Sequence, residues 1–127
     1  MKLHSQRTTE LNRLAGYGEG YFLVNEERVD GHVIVAADAL IRDISIDPCA
    51  PEVVDAATVD ALLALDPELV LVGTGARHRF PPPDVLARFA ARGCGVEVMR
   101  SDAACRTFNI VASEGRRVVA LLIAIEG

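Results

Sequence analysis

The sequence predicts a single α/β domain whose mixed β-sheet carries helices on at least one face. The chain has 127 residues and 50% of them are hydrophobic, so one domain with a packed core is expected over residues 1–127. Short β-type runs separated by turn residues fill its first third. From Thr58 onward, helix and strand patterns alternate as αβαβαβ, and strands joined by crossover helices are normally parallel.

The first third of the chain is predicted to be an antiparallel β-meander. Residues 1–19 end in a glycine-rich stretch, which indicates a loop preceded by a short strand. Three strand-like runs follow, at residues 21–24, 32–35 and 40–46. Asparagine, acidic residues and glycine between the first two runs are typical of turns. The third run alternates apolar and polar side chains, so we expect one of its faces to be exposed to water.

The remaining chain predicts three helices with recognisable ends. Thr58 is a suitable N-cap for the first helix, which extends to about Leu65. The second and third helices are expected over residues 83–93 and 101–115, with proline in the first turn of one and Ser101 as N-cap of the other. The side chains expected to face the core are Val59, Leu62 and Leu63, then Val85, Leu86, Phe89 and Ala90, then Ala104, Phe108 and Val111.

Three short runs are predicted to be the strands between and after these helices, at residues 68–72, 96–99 and 117–125. The first is continuously apolar from Leu69 to Val72, as is typical of a strand buried on both faces. Pro48 and Pro51 mark the loop that joins the meander to the first helix.

The charge distribution argues against a general nucleic-acid binder, because the net charge is −5. Residues 1–70 hold 13 acidic and 5 basic side chains, whereas residues 71–127 hold 5 acidic and 8 basic ones. Every base except Lys2 is an arginine, whose planar guanidinium group suits bidentate contacts with anions. An anion or an acidic partner is therefore expected at the C-terminal half of an otherwise acidic chain.

The cysteines Cys49, Cys94 and Cys105 have no spacing typical of a disulfide framework or a zinc site, so the reducing cytoplasm is the expected location. The first residues contain no apolar signal-peptide segment. The longest apolar run, Val118–Ile125, is far shorter than the roughly 20 residues of a membrane-spanning helix. The three histidines also lack metal-ligand spacing, and we expect neither a metal nor a cofactor.

The stretch 73–83 is the first candidate site, because it follows the strand with the strongest buried pattern. Open α/β sheets bind ligands outside the carboxyl ends of their strands. Gly75 would let a backbone N–H approach an anion, and Thr74 offers a hydroxyl. Arg77 and Arg79 offer guanidinium donors. The alternative interpretation is a tight turn that needs glycine, with both arginines in solvent.

The predicted third helix carries the second candidate site. Cys105, Arg106 and Asn109 lie within about one helical turn and can share a face. If the two strands before this helix are parallel, its N-terminal half lies near the Thr74-Gly75 loop. The helix dipole and Arg106 could then activate the thiol. The alternative is a small buried cysteine beside a hydrogen-bonded asparagine.

No catalytic motif is complete, so no catalytic residue is predicted. A dinucleotide-binding G-x-G-x-x-G would need glycine where His78 stands, and no G-K-[ST] follows the strand. The G-x-S-x-G of α/β-hydrolases is also missing from the sequence.

Two motifs resemble those of a small α/β family of undefined biochemistry. The first motif comprises Leu71–Gly75 and Arg79–Pro83, and the second is Ala104–Asn109. The segment Gly95–Met99 between them also matches. The family includes alpha-subcomplex assembly factor three of mitochondrial respiratory complex I, an adipogenesis-associated domain protein, and short bacterial and archaeal proteins. The resemblance covers nearly the whole chain. It implies a three-layer fold around a five-stranded mixed sheet, with one strand antiparallel to the rest.

The resemblance also implies binding residues at the matching motif positions, which are Thr74, Gly75, Cys105, Thr107 and Asn109. The family has no established catalytic residues. We therefore expect a non-enzymatic interaction or assembly protein, with subunits or assembly factors of a respiratory complex as partners. The preference for arginine and alanine over lysine favours a bacterial source.

Two other hypotheses stay open from the sequence. The first is a domain that binds, or acts on, a small molecule or anion between the Thr74-Gly75-Arg77 loop and the Cys105–Asn109 helix. The second is self-association through Phe80 and the three prolines that follow it.

Overall fold

Nine strands and three helices occur in the residues that the computed structural model describes, which are 2–4 (backbone alone), 11–47, 50 and 54–126. The predicted loop at Pro48 and Pro51, and Cys49 within it, lie outside the described residues. The strands are β1 (Lys2–His4), β2 (Leu14–Gly18), β3 (Tyr21–Val24), β4 (Glu27–Asp30), β5 (Val33–Ala36), β6 (Ala39–Arg42), β7 (Leu69–Gly73), β8 (Gly95–Met99) and β9 (Val118–Leu122). The helices are α1 (Ala56–Ala64), α2 (Pro83–Ala91) and α3 (Ser101–Ser113).

The strands form a larger sheet of order β1-β6-β5-β9-β7-β8 and a smaller antiparallel sheet of order β2-β3-β4. Helices α2 and α3 return the chain between strands, so β7 pairs in parallel with both β8 and β9. Strand β5 pairs antiparallel with β6 and β9. Within β5–β9, β5 alone therefore runs against the other four. The expected five-stranded mixed sheet with one antiparallel strand is confirmed, and β1 extends it at the β6 edge.

Side chains that alternate along the central strands divide the core into two halves. Val70 and Val119 pack on one face of the larger sheet, together with residues of α1 and α2. Leu71 and Ala120 pack on the other face, together with residues of α3 and the smaller sheet. The three expected layers are therefore present, with the larger sheet in the middle.

The predicted meander is wrong in one respect, because its strands belong to two different sheets. Strand β3 lies in the smaller sheet, whereas β5 and β6 lie in the larger one. Residues 27–30, expected as part of a turn, are strand β4. The turn before β4 needs only Asn25 and Glu26, because Asn25 adopts the left-handed conformation at φ 56°. Part of the glycine-rich stretch expected as a loop is strand β2.

Two predicted strands are shorter than expected. The run 40–46 ends as a strand at Arg42, because Asp43 takes a positive φ of 59° and turns the chain away from the sheet. The last strand ends at Leu122, three residues before the predicted end. The residues after Leu122 leave the sheet and become part of the site described below.

Two predicted helix caps need correction. The N-cap of α1 is Asp55, whose carboxylate accepts a hydrogen bond from the Thr58 N–H at 2.8 Å, so Thr58 itself lies inside the helix. The N-cap of α3 is Arg100, and Ser101 is the first helical residue. In α2, Ala90 was predicted to face the core but is exposed. It follows the buried Phe89 directly, and consecutive residues of a helix point in different directions.

Candidate functional site

A cavity of about 190 Å³ opens beyond the carboxyl ends of β7 and β9. Its walls come from four parts of the chain: the residue before β5, the segment after β6, the loop after β7 and the segment after β9. The lining residues are His32, Ile46, Thr74, Gly75, Ala76, Arg77, Arg79, Ile123, Ala124 and Glu126. The first candidate site therefore lines a cavity at the sheet edge where open α/β sheets bind their ligands.

Thr74 shapes this cavity through hydrogen bonds within the loop after β7. Its side chain is buried, with 2% exposed. The hydroxyl donates to the Arg77 carbonyl at 2.5 Å and accepts from the Arg79 N–H at 3.2 Å. The Met99 carbonyl lies 3.2 Å from the same oxygen, so Thr74 fixes the backbone of Arg77 and Arg79 against the end of β8.

Gly75 is tied to the first turn of α3. Its N–H donates to the Ser101 Oγ at 2.8 Å, and its carbonyl accepts from the Ser101 N–H at 2.9 Å. The same Oγ donates to the Ile123 carbonyl at 2.6 Å. Ser101, which the sequence suggested as a helix cap, thus joins the two loops that form the cavity. The Gly75 N–H expected to meet an anion already has its partner.

His32 was not predicted as a site residue. Its half-buried ring lies on the cavity wall, and its Nδ1 accepts the Ala124 N–H at 2.9 Å. Burial lowers the pKa of His32, and the nearby Glu126 carboxylate partly opposes that change. The sequence carries no signal for this contact, because only the antiparallel pairing of β5 with β9 brings the two segments together.

The charged side chains of the cavity are Arg77, Arg79 and Glu126. Arg77 is exposed and Arg79 is half-buried, whereas Glu126 stands exposed on the segment after β9. Arg77 and Arg79, two of the eight arginines after residue 70, therefore lie together on the cavity wall.

The four candidate residues of α3 do not line this cavity. Cys105 is buried, Arg106 is exposed and Thr107 is half-buried. Burial raises the pKa of the Cys105 thiol to about 12; Asp102 adds to this effect, and Arg106 opposes it weakly. The thiol is therefore protonated at neutral pH, and the expected activation by Arg106 and the helix dipole is wrong. Of the two segments in the small-molecule hypothesis, only the Thr74-Gly75-Arg77 loop lines this cavity.

Asn109 joins α3 to the smaller sheet. Its Oδ1 accepts the Leu14 N–H at 2.9 Å, and its Nδ2 donates to the Leu14 carbonyl at 2.8 Å. These two bonds satisfy the backbone of β2 where a strand partner would otherwise be needed. The structure thus supports the alternative interpretation of this motif, with a hydrogen-bonded asparagine beside a buried cysteine.

The described residues hold neither a cluster of metal-ligand side chains nor a helix that could cross a membrane. No three histidine, cysteine, aspartate or glutamate side chains converge there as metal ligands would. None of the helices in this part of the chain is both long and apolar enough to cross a membrane.

Acidification from about pH 7 to about pH 5 is expected to reduce stability in part through His32. Because the pKa of His32 is lowered on folding, the unfolded chain binds protons there that the folded chain does not. The free energy of unfolding should therefore fall as the pH drops through the ordinary histidine range near 6.5. Asp55, whose carboxyl pKa is lowered by hydrogen bonds from Thr58, contributes only below about pH 4.

The matched variant for this pH effect is His32→Asn, which can keep an acceptor for the Ala124 N–H but does not titrate. Urea unfolding at several pH values should show a flatter dependence between about pH 5 and 7 for the variant. An identical pH dependence in both proteins would contradict the assignment to His32.

Comparison with known proteins identifies similar chains. Residues 14–123 match the model of a family described as protein of unknown function, DUF498/DUF598. A 13 kDa major membrane protein of Francisella tularensis is 31% identical over 108 residues, which cover 84% of this chain and 86% of that protein. Human NADH dehydrogenase (ubiquinone) 1 alpha subcomplex assembly factor 3 is 32% identical over 112 residues. The match spans 87% of this chain but 60% of the human protein.

A solved structure agrees with the fold. The solution structure of a Mth938-like domain from Bordetella pertussis superposes with a TM-score of 0.78 at 31% identity, covering 99% of this chain and 94% of that one. The similarity therefore includes the loop after β7 and the helix α3 that carry the two motifs.

Proposed function

The chain belongs to the family of proteins of unknown function DUF498/DUF598, and we propose that it is a non-enzymatic interaction protein that assists the assembly of respiratory complex I. The observation that carries this proposal is the similarity to the human assembly factor over most of this chain. Its proposed partners are subunits or assembly factors of that complex.

The chemistry of the described residues supports a role without catalysis. Burial raises the pKa of the Cys105 thiol to about 12, so this potential nucleophile is protonated at neutral pH. The Thr74 hydroxyl is already in contact with the Arg77 carbonyl, the Arg79 N–H and the Met99 carbonyl. We place the proposed role in the cytoplasm, because the number and spacing of the cysteines in the sequence are not those of a disulfide framework.

Phe80 is the side chain that we propose as the main contact for a partner. It is 67% exposed, the largest exposed fraction of any large apolar side chain among the described residues. Its ring meets the His78 ring edge-on at a centroid distance of 4.6 Å, and His78 Nε2 lies 3.1 Å from the Val98 carbonyl. Pro81, Pro82 and Pro83 restrict the backbone that follows. An exposed aromatic ring held in place this way loses little entropy on binding and is typical of interface hot spots.

Affinity purification from the native host after mild crosslinking tests this proposal. The wild-type protein should enrich subunits or assembly factors of complex I, and Phe80→Ala should reduce that enrichment by about tenfold or more. Ile110→Ala is the matched control, because Ile110 is a large apolar side chain on α3 that is similarly exposed, at 61%. This variant should enrich the same proteins as the wild type.

Different outcomes would contradict different parts of the proposal. Recovery of no complex I protein by the wild type would contradict the assembly role. Equal enrichment by Phe80→Ala would contradict the assignment of the surface. Sedimentation that shows a dimer, lost in Phe80→Ala, would assign the Phe80 surface to a second copy of the chain instead.

A further inference from the structure

We propose that the free edge of β8 binds an extended segment of a partner protein, which pairs antiparallel with β8 and carries a basic side chain opposite Glu97. The inference deepens the assembly role, because it names the kind of segment that the partner supplies, and it rests on that role for the identity of the partner. Among the described strands, β8 lies at one edge of the larger sheet and pairs with β7 alone.

Four backbone groups of β8 point away from the sheet. The Gly95 N–H donates to the carbonyl just before β7 at 3.0 Å, and the Met99 carbonyl accepts the N–H just after β7 at 2.8 Å. Both of these groups of β8 therefore face β7. Since backbone groups alternate in direction along a strand, the N–H and carbonyl groups of Val96 and Val98 face outward. An added strand binds to such a row of outward groups.

His78 uses one of these four groups and joins the edge to the Phe80 surface. Its Nε2 lies 3.1 Å from the Val98 carbonyl, and its ring meets the Phe80 ring at a centroid distance of 4.6 Å. Within the described part of the chain, no hydrogen bond reaches the other three groups, which are the Val98 N–H and both groups of Val96. An added strand therefore continues the surface proposed for the partner and has three backbone hydrogen bonds available.

The charge on the edge selects the partner. Glu97 is exposed between the two valines, and no ion pair joins it to another described side chain. Arg100, which follows β8, is already paired with Asp102 at 3.2 Å. In an antiparallel pair, the side chain directly opposite Glu97 shares its face, and an opposite charge there stabilises the pair. The partner residue at this position is therefore basic.

The same geometry disfavours a second copy of this chain as the occupant. A two-fold pairing that uses both valines places the Glu97 side chains of the two copies opposite each other, and like charges in that position are destabilising. The antiparallel orientation is favoured because parallel pairs are slightly less stable per residue.

The other face of the partner segment would be apolar. Its side chains would lie beside Val96 and Val98, which pack against the half of the core that contains residues of α2. Because side chains alternate along a strand, the matching segment has a basic residue between two apolar ones.

The probe for this site is a pentapeptide of sequence Thr-Val-Lys-Val-Thr with both ends blocked, titrated into the full chain while amide chemical shifts are recorded. The amides of Val96 and Val98 should shift in a saturable way. The matched peptide with glutamate in place of lysine should bind about fivefold more weakly. In Glu97→Gln this preference should fall to within about twofold. Glu26→Gln should keep it, because Glu26 is an exposed glutamate in the turn before β4.

Methylation of single backbone nitrogens of the peptide tests the strand pairing itself. In the proposed register, the valine after the lysine lies opposite Val96 and exchanges both hydrogen bonds with it, whereas the lysine N–H points away from β8. Methylation of that valine nitrogen should therefore weaken binding by about tenfold. Methylation of the lysine nitrogen should change the affinity by less than about twofold.

Three results would overturn the proposal. The first is the absence of saturable shifts at Val96 and Val98, which would leave Glu97 as a residue that only protects the edge from pairing. The second is a lysine preference that persists in Glu97→Gln, and the third is tolerance of methylation on the valine.

The peptide measurements do not involve complex I, so the two proposals fail separately. Peptide binding with the expected preferences, without enrichment of complex I proteins from the host, would contradict the assembly role and support the site at the edge of β8. Enrichment of those proteins without peptide binding would contradict the site alone.

Discussion

Replacing Phe108 with alanine is expected to lower the free energy of unfolding by about 3–5 kcal/mol. Phe108 is fully buried on the inner face of α3, at 0% exposed. It belongs to the half of the core in which α3, the larger sheet and the smaller sheet meet. Truncation of the ring would leave a cavity among groups that several rigid elements hold apart, so the core cannot collapse to fill it.

Urea unfolding monitored by circular dichroism measures this effect, and Phe80→Ala is its control. Phe80→Ala removes the same aromatic ring from an exposed position. The free energy of unfolding of this variant should therefore stay within about 0.5 kcal/mol of the wild-type value. Equal destabilisation of the two variants would contradict the placement of α3 against the sheet.

The second large effect is expected at Gly73, where Gly73→Ala should cost about 1–3 kcal/mol. A Cβ atom on Gly73 would lie 2.9 Å from the Ser101 Cα, which is backbone and cannot rotate away. The start of α3 would have to move from the sheet, and the bonds of Ser101 to Gly75 and Ile123 would be strained with it. The same variant should therefore alter the cavity as well as the stability.

Gly95→Ala is the matched control for this substitution. Gly95 begins β8, which pairs in parallel with β7, but a Cβ there would meet Leu69 Cδ1 at an ordinary 3.5 Å. Thermal unfolding should place the control near or above the wild type, because alanine reduces the entropy of the unfolded chain. A wild-type melting temperature for Gly73→Ala would contradict the close approach of α3 to β7.

The periodic parts of the sequence predict most of this fold. The continuous apolar run before Gly73 becomes the central strand β7, and the spacing of Ala104, Phe108 and Val111 becomes the buried face of α3. Errors arise where a single backbone angle decides the structure. Asp43 ends β6 and Asn25 tightens the turn before β4 through positive φ values that side-chain polarity does not reveal.

The candidate site is predictable only where its residues are close in sequence. Glycine, threonine and arginine after a buried strand identify the loop that lines the cavity. His32 and Glu126 reach it through the pairing of β5 with β9, which no local pattern encodes. Polar residues on α3 were a misleading signal, because Asn109 is used to hold β2 and Cys105 to fill the core.

The most direct test of the proposed assembly role is the amount of intact complex I in the native host without this protein. Membranes from a deletion strain would be resolved by native electrophoresis and stained for NADH dehydrogenase activity. The proposal predicts less intact complex, accumulation of partly assembled subcomplexes and recovery when the wild-type chain, but not Phe80→Ala, is supplied. Normal amounts of intact complex I in the deletion strain would contradict it.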